Sequence, residues 1–358
     1  MKFQAPLTLF LGILASTSAE FVRKVEEPTQ LHDVMFQSWA NEHEKEYTSD
    51  TEKDHRMQVW MQNHIKIELH NNQVPEPKFK LGHNAFSDMT QDEYAEFNKL
   101  GLHSSKAGKL SAEQKINPQA EFTTFRALED PMLELPKEVD WTSLGGVTDV
   151  KNQGACGSCW AFSTTGALEG AKFIKTGELV ALSEQNLLDC DHKDLGCNGG
   201  LMDNAFKFDE KTGGLCSEED YPYKAKQGKK CNTNCTDVPG TIVSTFYDVP
   251  QGDAKALQAA IAMQPISIAI QADQFVFQFY KKGVLTDDKC GKQGNIDHGV
   301  LAVGYGTDSE TEEPFWLVKN SWGDSWGEKG YIRMSRNSKN DFGMCAILKA
   351  ASFPEVKA

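Results

Sequence analysis

Ten consecutive residues, Gln153-Gly154-Ala155-Cys156-Gly157-Ser158-Cys159-Trp160-Ala161-Phe162, put a thiol at a chemically marked position. Gly and Ser gather before Cys159, and small or helix-favouring residues follow it (Ala161, Gly166, Ala167, Leu168, Glu169, Ala171). The pattern predicts a turn and then a helix, with Ser158 as the cap. A helix N-terminus offers unpaired N–H groups and the positive end of the macrodipole, so a thiolate is favoured there and the thiol pKa falls. A thiolate that attacks a carbonyl needs an imidazole partner, a group that holds the imidazole, and donors for the oxyanion. Asp297-His298-Gly299 opens the apolar run Val300-Leu301-Ala302-Val303, which fixes His298 at the start of a strand. Asn320 ends the run Trp316-Leu317-Val318-Lys319 and precedes Ser321-Trp322-Gly323. A neutral amide there can accept from the ring N–H without adding a second charge. Gln153 can aim its side-chain amide at the same point as the Cys159 backbone N–H. Taken singly, each residue also has a plainer reading: a surface or core His, a turn-forming Asn.

All nine cysteines lie at or after Cys156, so two regions of different character meet before that point. Lys2, the apolar run Leu7 to Leu14 and Thr17-Ser18-Ala19 have the layout of a secretory signal peptide cleaved near Ala19, and residues 1–19 are set apart from the fold. The run falls short of the ~20 residues of a membrane span. In a secreted chain cysteines pair, and an odd number leaves one thiol over, for which Cys159 is the best candidate. Two other readings of Cys156 and Cys159 stay open on residues alone. A redox pair would carry its aromatic before the first Cys, whereas Trp160 follows the second. A zinc site from Cys156, Cys159, Cys190 and Cys197 is conceivable by count, but the spacing of the second pair is wide and the compartment oxidising. The formal net charge of −14 argues against a nucleic-acid partner, which would require a clustered basic face.

The elements that must position these groups follow from periodicity. With 358 residues the chain is long enough for two or three units of ~150 residues. From Leu31 to about Asn72 it is rich in Glu, Lys, Gln and His without Gly or Pro, and reads as helical. Glu52, Arg56, Trp60, Asn63, Ile67 and Asn71 are spaced by three or four and share one face, with Glu52 and Arg56 placed to pair. Pro75 and Pro77 end the helix. Gly82-His83-Asn84-Ala85-Phe86-Ser87-Asp88 is turn-rich, Gln91 to Lys99 is a short helical patch, and residues 101–130 read as a polar linker open to proteolysis. After Leu135-Pro136 come the Cys159 helix, which Gly177 should end, a helix from Leu182 to Cys190 started by Ser183, and a third from Leu201 to Glu210. Ile266–Ile270, Val300–Tyr305, Trp316–Lys319 and Tyr331–Met334 are short and β-rich, and predict an antiparallel sheet or barrel. A helical half followed by a β half is an α+β arrangement with a cleft between.

Gln153 to Phe162, Cys197-Asn198-Gly199-Gly200, Asp297-His298-Gly299 and Asn320-Ser321-Trp322-Gly323 together resemble the motifs of papain-like cysteine proteases, most closely the cathepsin L type. The face Glu52, Arg56, Trp60, Asn63, Ile67, Asn71 is similar to the interspersed signature of that family's inhibitory propeptide, and Gly82, Asn84, Phe86 and Asp88 to its second motif. The resemblance covers about residues 31–356. It implies an α+β papain-like two-domain fold, with a helical left domain, an antiparallel β-barrel right domain and a cleft between, preceded by a helical inhibitory propeptide. The implied organisation is a signal peptide at 1–19, a propeptide at 20–134 (inhibitor domain about 31–100, linker about 101–134) and a mature peptidase at 135–358. The propeptide would run backwards through the cleft until acid pH and cleavage near Leu135 release it, with part of its grip resting on carboxylates such as Glu52 and Asp88.

By the same resemblance Cys159 is the nucleophile, paired with His298 as thiolate and imidazolium. Asn320 orients the ring, Gln153 and the Cys159 N–H hold the oxyanion, and Trp322 roofs the His298–Asn320 bond. The family's disulfides would be Cys156–Cys197, Cys190–Cys231 and Cys290–Cys345; Cys216 and Cys235 remain, and a fourth bond between them is expected. Asn234-Cys235-Thr236 is a glycosylation sequon. Leu201, Met202, Ala269, Ile296, Gly299 and Ala350 match the pocket for the second residue before the scissile bond. All are apolar or small, so bulky hydrophobic side chains should be favoured. Gly199, Gly200, Asp297 and Trp322 complete the expected substrate-binding set. Only six residues separate Cys190 from Cys197, too few for a cleft-closing flap, which implies an endopeptidase. Implied partners are protein and peptide substrates, the chain's own propeptide and cystatin-type inhibitors, with no cofactor, a monomeric state, and a destination in a lysosome, a vacuole or outside the cell. A catalytically silent binding protein of the same fold is the rival reading; pseudoenzymes usually lose a catalytic residue, and all four are present. A transglutaminase-like acyltransferase shares the Cys/His logic but not the propeptide motifs.

Overall fold

The computed structural model describes residues 30–100 and 134–357; the expected signal peptide and nearly all of the expected linker lie outside them. The N-terminal region forms α1 (Gln30–Glu42), α2 (Asp50–Asn71), β1 (Phe79–Leu81) and α3 (Gln91–Phe97). The single helix predicted from Leu31 to Asn72 is therefore two. Glu44 turns into the left-handed region with φ of 50°, and Ser49 starts the second helix by accepting the Glu52 N–H at 3.2 Å. The break lets α1 fold back, so that Phe36, Trp39 and Ala40 pack on Trp60 and Met61. Trp60 is only 1% exposed. Trp60→Ala should cost about 3–5 kcal/mol of local stability, as expected for a buried aromatic reduced to Ala. The measurement is the unfolding midpoint of the N-terminal region; a midpoint unchanged from wild type would show that this cluster does not hold it together.

The predicted face of α2 reaches the Gly82–Asp88 loop one residue at a time. Asn63 Nδ2 donates to the Ser87 and Met89 carbonyls, each at 3.0 Å, and Asn71 exchanges two hydrogen bonds with the Leu81 backbone. Ile67 is buried. The predicted Glu52–Arg56 pair gives way to other partners: Arg56 bridges to Glu93 at 2.9 Å, and Glu52 accepts from the Thr48 N–H and hydroxyl. A helix-start carboxylate gains more from open N–H groups than from an exposed ion pair. Asp88 accepts from Lys45 and Tyr47, so its contacts stay inside the N-terminal region.

The cysteine-bearing region contains β2 (Val139–Asp140), α4 (Cys159–Thr176), α5 (Glu184–Cys190), α6 (Met202–Thr212), β3 (Val243–Asp248), α7 (Ala254–Met263), β4 (Ile266–Ile270), α8 (Phe275–Gln278), β5 (Tyr280–Leu285), β6 (His298–Thr307), β7 (Pro314–Lys319), β8 (Tyr331–Ser335) and β9 (Ala350–Val356). Gly177 ends α4 with φ of 79°, and the Ser183 hydroxyl caps α5 through the Asn186 N–H. The sheet runs β1-β5-β8-β7-β6-β4-β9-β3, with β2 on β6. Its pairings are antiparallel, as expected for the β half, with the single pair β5 on β8 running parallel. One core lies around α4 and joins Trp160, Leu168, Leu187 and Phe206 to Leu301 and Val303 of β6. The second fills the β half and takes in Ile67, Phe79, Leu81, Phe86 and Tyr94 from the N-terminal region. Cys156–Cys197, Cys190–Cys231, Cys216–Cys235 and Cys290–Cys345 are disulfide-bonded.

Candidate active site

Cys159 is the first residue of α4, and with its neighbours in four disulfides it alone keeps a thiol. The zinc set and the Cys156–Cys159 redox pair are thereby excluded, because Cys156, Cys190 and Cys197 are all oxidised. Ser158 occupies the cap position but makes no side-chain cap; its hydroxyl is bonded instead to the Tyr223 hydroxyl at 2.6 Å. The first N–H groups of the helix are therefore left for the sulfur, which accepts from Trp160 N–H and, across the cleft, from Gly299 N–H. Gly157 N–H to Cys197 O at 2.9 Å and Trp160 Nε1–H to Gly196 O at 3.1 Å pin the turn that carries the thiol.

His298 opens β6 and Asn320 follows β7, adjacent strands in register, so the sheet sets their separation. Nε2 of His298 lies 2.8 Å from Asn320 Oδ1. The Ser321 N–H donates to that same Oδ1, which identifies it as the amide oxygen and puts the ring proton on Nε2. The basic lone pair is then on Nδ1. Trp322 stacks on the ring with centroids 4.7 Å apart and 25° between planes, shielding the bond from water. Gln153, fully buried, accepts from Ser321 Oγ at 2.7 Å and donates one amide hydrogen to Cys156 O at 3.0 Å, leaving the other hydrogen of its NH2 group for an oxyanion. Tyr223, absent from the sequence expectations, bonds both Ser158 and the Gln153 carbonyl. No local pattern marked it; only the fold brings it there.

The expected subsite residues sort by element. Ala269, Gly299 and Ala350 stand side by side on β4, β6 and β9. A Cβ at Gly299 would come within 3.3 Å of the Trp160 backbone, so the small residue keeps β6 close to α4. Leu201 is the cap residue of α6 and Met202 its first residue, and Ile296 is half-buried just before β6. Gly199 and Gly200 form the strip before α6; Gly200 lies on the Trp160 ring. Asp297 is buried with its carboxylate on the Ala272 N–H at 2.7 Å, and burial pushes its pKa up to about 7. Its side chain is thus engaged in structure, which removes it from direct side-chain recognition.

The N-terminal region covers this site. Phe86 and Tyr94 meet Trp322 edge to face at 5.5 and 5.7 Å. Tyr94 donates to Ala272 O, Gln91 to Asp273 O and Asn84 to Gln278 O, at 2.9, 2.7 and 2.6 Å. Further along, the Lys99 side chain lies against Gly157, where a Cβ would meet it at 2.8 Å. The expected grip through Glu52 and Asp88 is not what crosses the seam: main-chain carbonyls and aromatic faces do. Lys78 to Glu313 at 2.6 Å is the one ion pair between the two regions among the described residues. Burial pushes the Cys159 thiol up to about 11, with the Gly299 and Trp160 N–H groups opposing it only in part. In the covered state the thiol is neutral, opposite to the depressed value that its helix position alone predicts.

Residues 135–355 match the family described as papain family cysteine protease, and residues 36–94 match the cathepsin propeptide inhibitor domain. The chain is 43% identical to Cathepsin L1 of Drosophila melanogaster over 93% of its own length and 88% of that protein's. It is 41% identical to Cathepsin L of Sarcophaga peregrina over 98% and 99% of the two chains. Among solved structures, the proform of the ragweed pollen cysteine protease Amb a 11 superposes with a TM-score of 0.80 at 36% identity, covering 94% of this chain and 98% of that one. Digestive procathepsin L 3 from the larval midgut of Tenebrio molitor does so with a TM-score of 0.77 at 35% identity, covering 91% and 99%.

Proposed function

Because the chain belongs to the papain family of cysteine proteases and carries a cathepsin propeptide inhibitor domain ahead of the peptidase, a cathepsin L-like zymogen, we propose that it is an endopeptidase whose nucleophile is Cys159. The observation that carries the assignment is the arrangement around the head of α4. Cys159 starts the helix, Gln153 turns its amide toward the same turn, and His298 is held by Asn320 under Trp322. This complete set favours an enzyme over a silent binding protein.

The Cys159 thiolate attacks the peptide carbonyl carbon, and the C=O pair moves onto oxygen, where Gln153 Nε2–H and the Cys159 N–H stabilise it. Collapse breaks the C–N bond as the His298 imidazolium gives its proton to the departing amine, leaving a thioester on Cys159. Water then attacks the thioester, losing its proton to His298, and the carboxylic product leaves with the thiolate restored. Asn320 keeps the ring proton on Nε2 throughout, so that Nδ1 does the transfers.

Leu201, Met202, Ala269, Ile296, Gly299 and Ala350 form the pocket for the second residue before the scissile bond, and the six-residue Cys190–Cys197 loop leaves the cleft open at that end. Cleavage near Leu135 separates propeptide from peptidase after entry into the secretory pathway, with a lysosome, a vacuole or the exterior as destination. The mature enzyme works as a monomer without a cofactor and is a target for cystatin-type inhibitors. Asn234 is exposed and can accept a glycan. Cleavage of a peptide library after acid activation tests this reading: internal bonds preceded by Leu, Phe, Val or Met two residues upstream should be cut at least about tenfold faster than those preceded by Arg, since one buried hydrophobic contact is worth about 1–3 kcal/mol in such a pocket. Equal cleavage after Arg, or removal of single terminal residues only, would overturn it.

A further inference from the structure

The short loop between Cys190 and Cys197 holds two buried carboxyls, Asp191 and Asp194, 3% and 7% exposed. Each has one oxygen with a conventional donor. Asp191 Oδ1 accepts the Lys193 N–H at 2.9 Å; Asp194 Oδ1 accepts the Leu201 N–H and the Asn204 amide, both at 3.0 Å. The other two oxygens, Asp191 Oδ2 and Asp194 Oδ2, are buried and receive no N–H or O–H from any other described group. Asp191 acts on Asp194 as a neighbouring like charge. A buried carboxyl oxygen that has no donor and lies near a like charge favours the protonated acid at Asp194. Asp194 also lies directly behind the substrate strip: a Cβ at Gly200 would meet its Cγ at 2.7 Å and the Trp160 ring at 2.5 Å. Gly200 is thus held between the Asp194 carboxyl and the aromatic face, while Asp194 Oδ1 fixes the next N–H along the strip.

We propose that Asp194 is a positioning residue that sets the Gly199–Gly200–Leu201 wall and so ties binding of the substrate segment before the scissile bond to the state of its own carboxyl. This rests on the peptidase reading above and deepens it. Facing Asp194 are Asn204 and the Leu201 N–H of α6, Gly200, and beyond it Trp160 of α4; the charged neighbours on the loop are Asp191 itself and the exposed His192 and Lys193. Burial, eased by the Asn204 bond and reinforced by Asp191, pushes the Asp194 carboxyl up to about 8. Its proton is therefore retained through the acid range and leaves under mildly alkaline conditions. Loss of the proton leaves a buried negative oxygen without a donor behind Gly200, and the wall that Asp194 supports loosens.

The test uses acid-activated enzyme, wild type and the variants Asp194→Asn and Asp194→Ala, with an extended hydrophobic peptide and a one-residue ester that does not reach the wall. In the wild type, KM for the extended peptide should rise above pH 8 while KM for the ester stays level. Asp194→Asn keeps the acceptor for Leu201 and carries no charge at any pH, so its KM at pH 5.5 should stay within about twofold and the alkaline rise should vanish. Asp194→Ala should raise KM for the extended peptide about tenfold at little change in kcat, because the Leu201 N–H and the Asn204 amide both lose their acceptor. A second readout needs no turnover. A carboxyl with a raised native pKa stabilises the fold at low pH and loses that contribution as pH rises through about 8, so the zymogen melting temperature should fall from pH 5 to 9 less steeply in Asp194→Asn than in wild type. An alkaline KM rise that persists in Asp194→Asn, parallel melting curves, or an extended-peptide KM unmoved in a folded Asp194→Ala would each overturn the proposal. If ester and peptide are both left uncut by active-site-titrated wild type, the peptidase reading fails, and the melting curves still decide the Asp194 proton.

Discussion

Cys159→Ser should leave a zymogen that folds and melts like wild type yet, once processed, cleaves peptides on the order of 10⁴- to 10⁶-fold more slowly, the loss expected when a nucleophile is removed from a working set. The side chain is 2% exposed at the head of α4, and a hydroxyl fills nearly the same space, so the fold has no reason to object. The chemistry does. A thiolate forms near neutral pH beside an imidazole and a helix N-terminus, whereas a serine hydroxyl does not reach its anion under the same influence. His298, oriented by the neutral Asn320 amide, is the group that in the proposed mechanism would share a proton with sulfur. A thiol-directed titrant should label the processed wild type once and the variant not at all. Residual hydrolysis within tenfold of wild type, with label lost, would mean that another residue attacks the substrate.

Release of the N-terminal region should raise the rate at which iodoacetamide alkylates Cys159 at pH 7 by about 10³-fold. In the covered state the thiol is pushed up to about 11 by burial, so only about one in 10⁴ is ionised at neutral pH. Opening the cleft should lessen that burial and leave the influences that favour the anion: the Gly299 and Trp160 N–H groups and the helix N-terminus. The pH–rate profile should therefore move down by several units on processing. It is measured with the same reagent before and after acid activation, using urea-unfolded chain as the reference for an ordinary thiol. Equal alkylation of zymogen and processed enzyme at pH 7 would remove burial as the agent of inhibition.

What the chain reveals before folding follows a physical divide. Local signals were readable: the Cys159 helix and its Gly177 stop, Ser183 as a cap, and the strand edges that carry His298 and Asn320. Each depends on neighbours within a few residues. The Ser49 start was also present in the Ser-x-x-Glu spacing to Glu52, but the unbroken polar composition around it masked the signal. The α7 helix had its own mark, with Asp253 accepting the Ala256 N–H ahead of an Ala-rich run. Contacts set by distant chain were not readable. Arg56 finds Glu93 and not Glu52, Ser158 finds Tyr223 and not its own helix, and the β5–β8 pair is parallel, because each choice is made by a partner that only the fold delivers. The thiol is the clearest case: its helix position argues for a low pKa, and the burial that reverses it comes from the assembled chain around the cleft.

The pairing of β1 with β5 carries a lesson about parting. Lys80 stands directly opposite Lys282 in that register, and like charges across a strand pair weaken it. Glu76 relieves Lys80 at 2.7 Å from within the departing segment, and therefore leaves with it. When the N-terminal region goes, β5 passes from interior strand to sheet border, the kind of open margin on which proteins clump. Lys281 and Lys282 already point to solvent there, and lysines on a border strand discourage a stranger from docking. The residues that make the zymogen's seam easy to unpick are the same ones that keep the finished enzyme from sticking to its siblings.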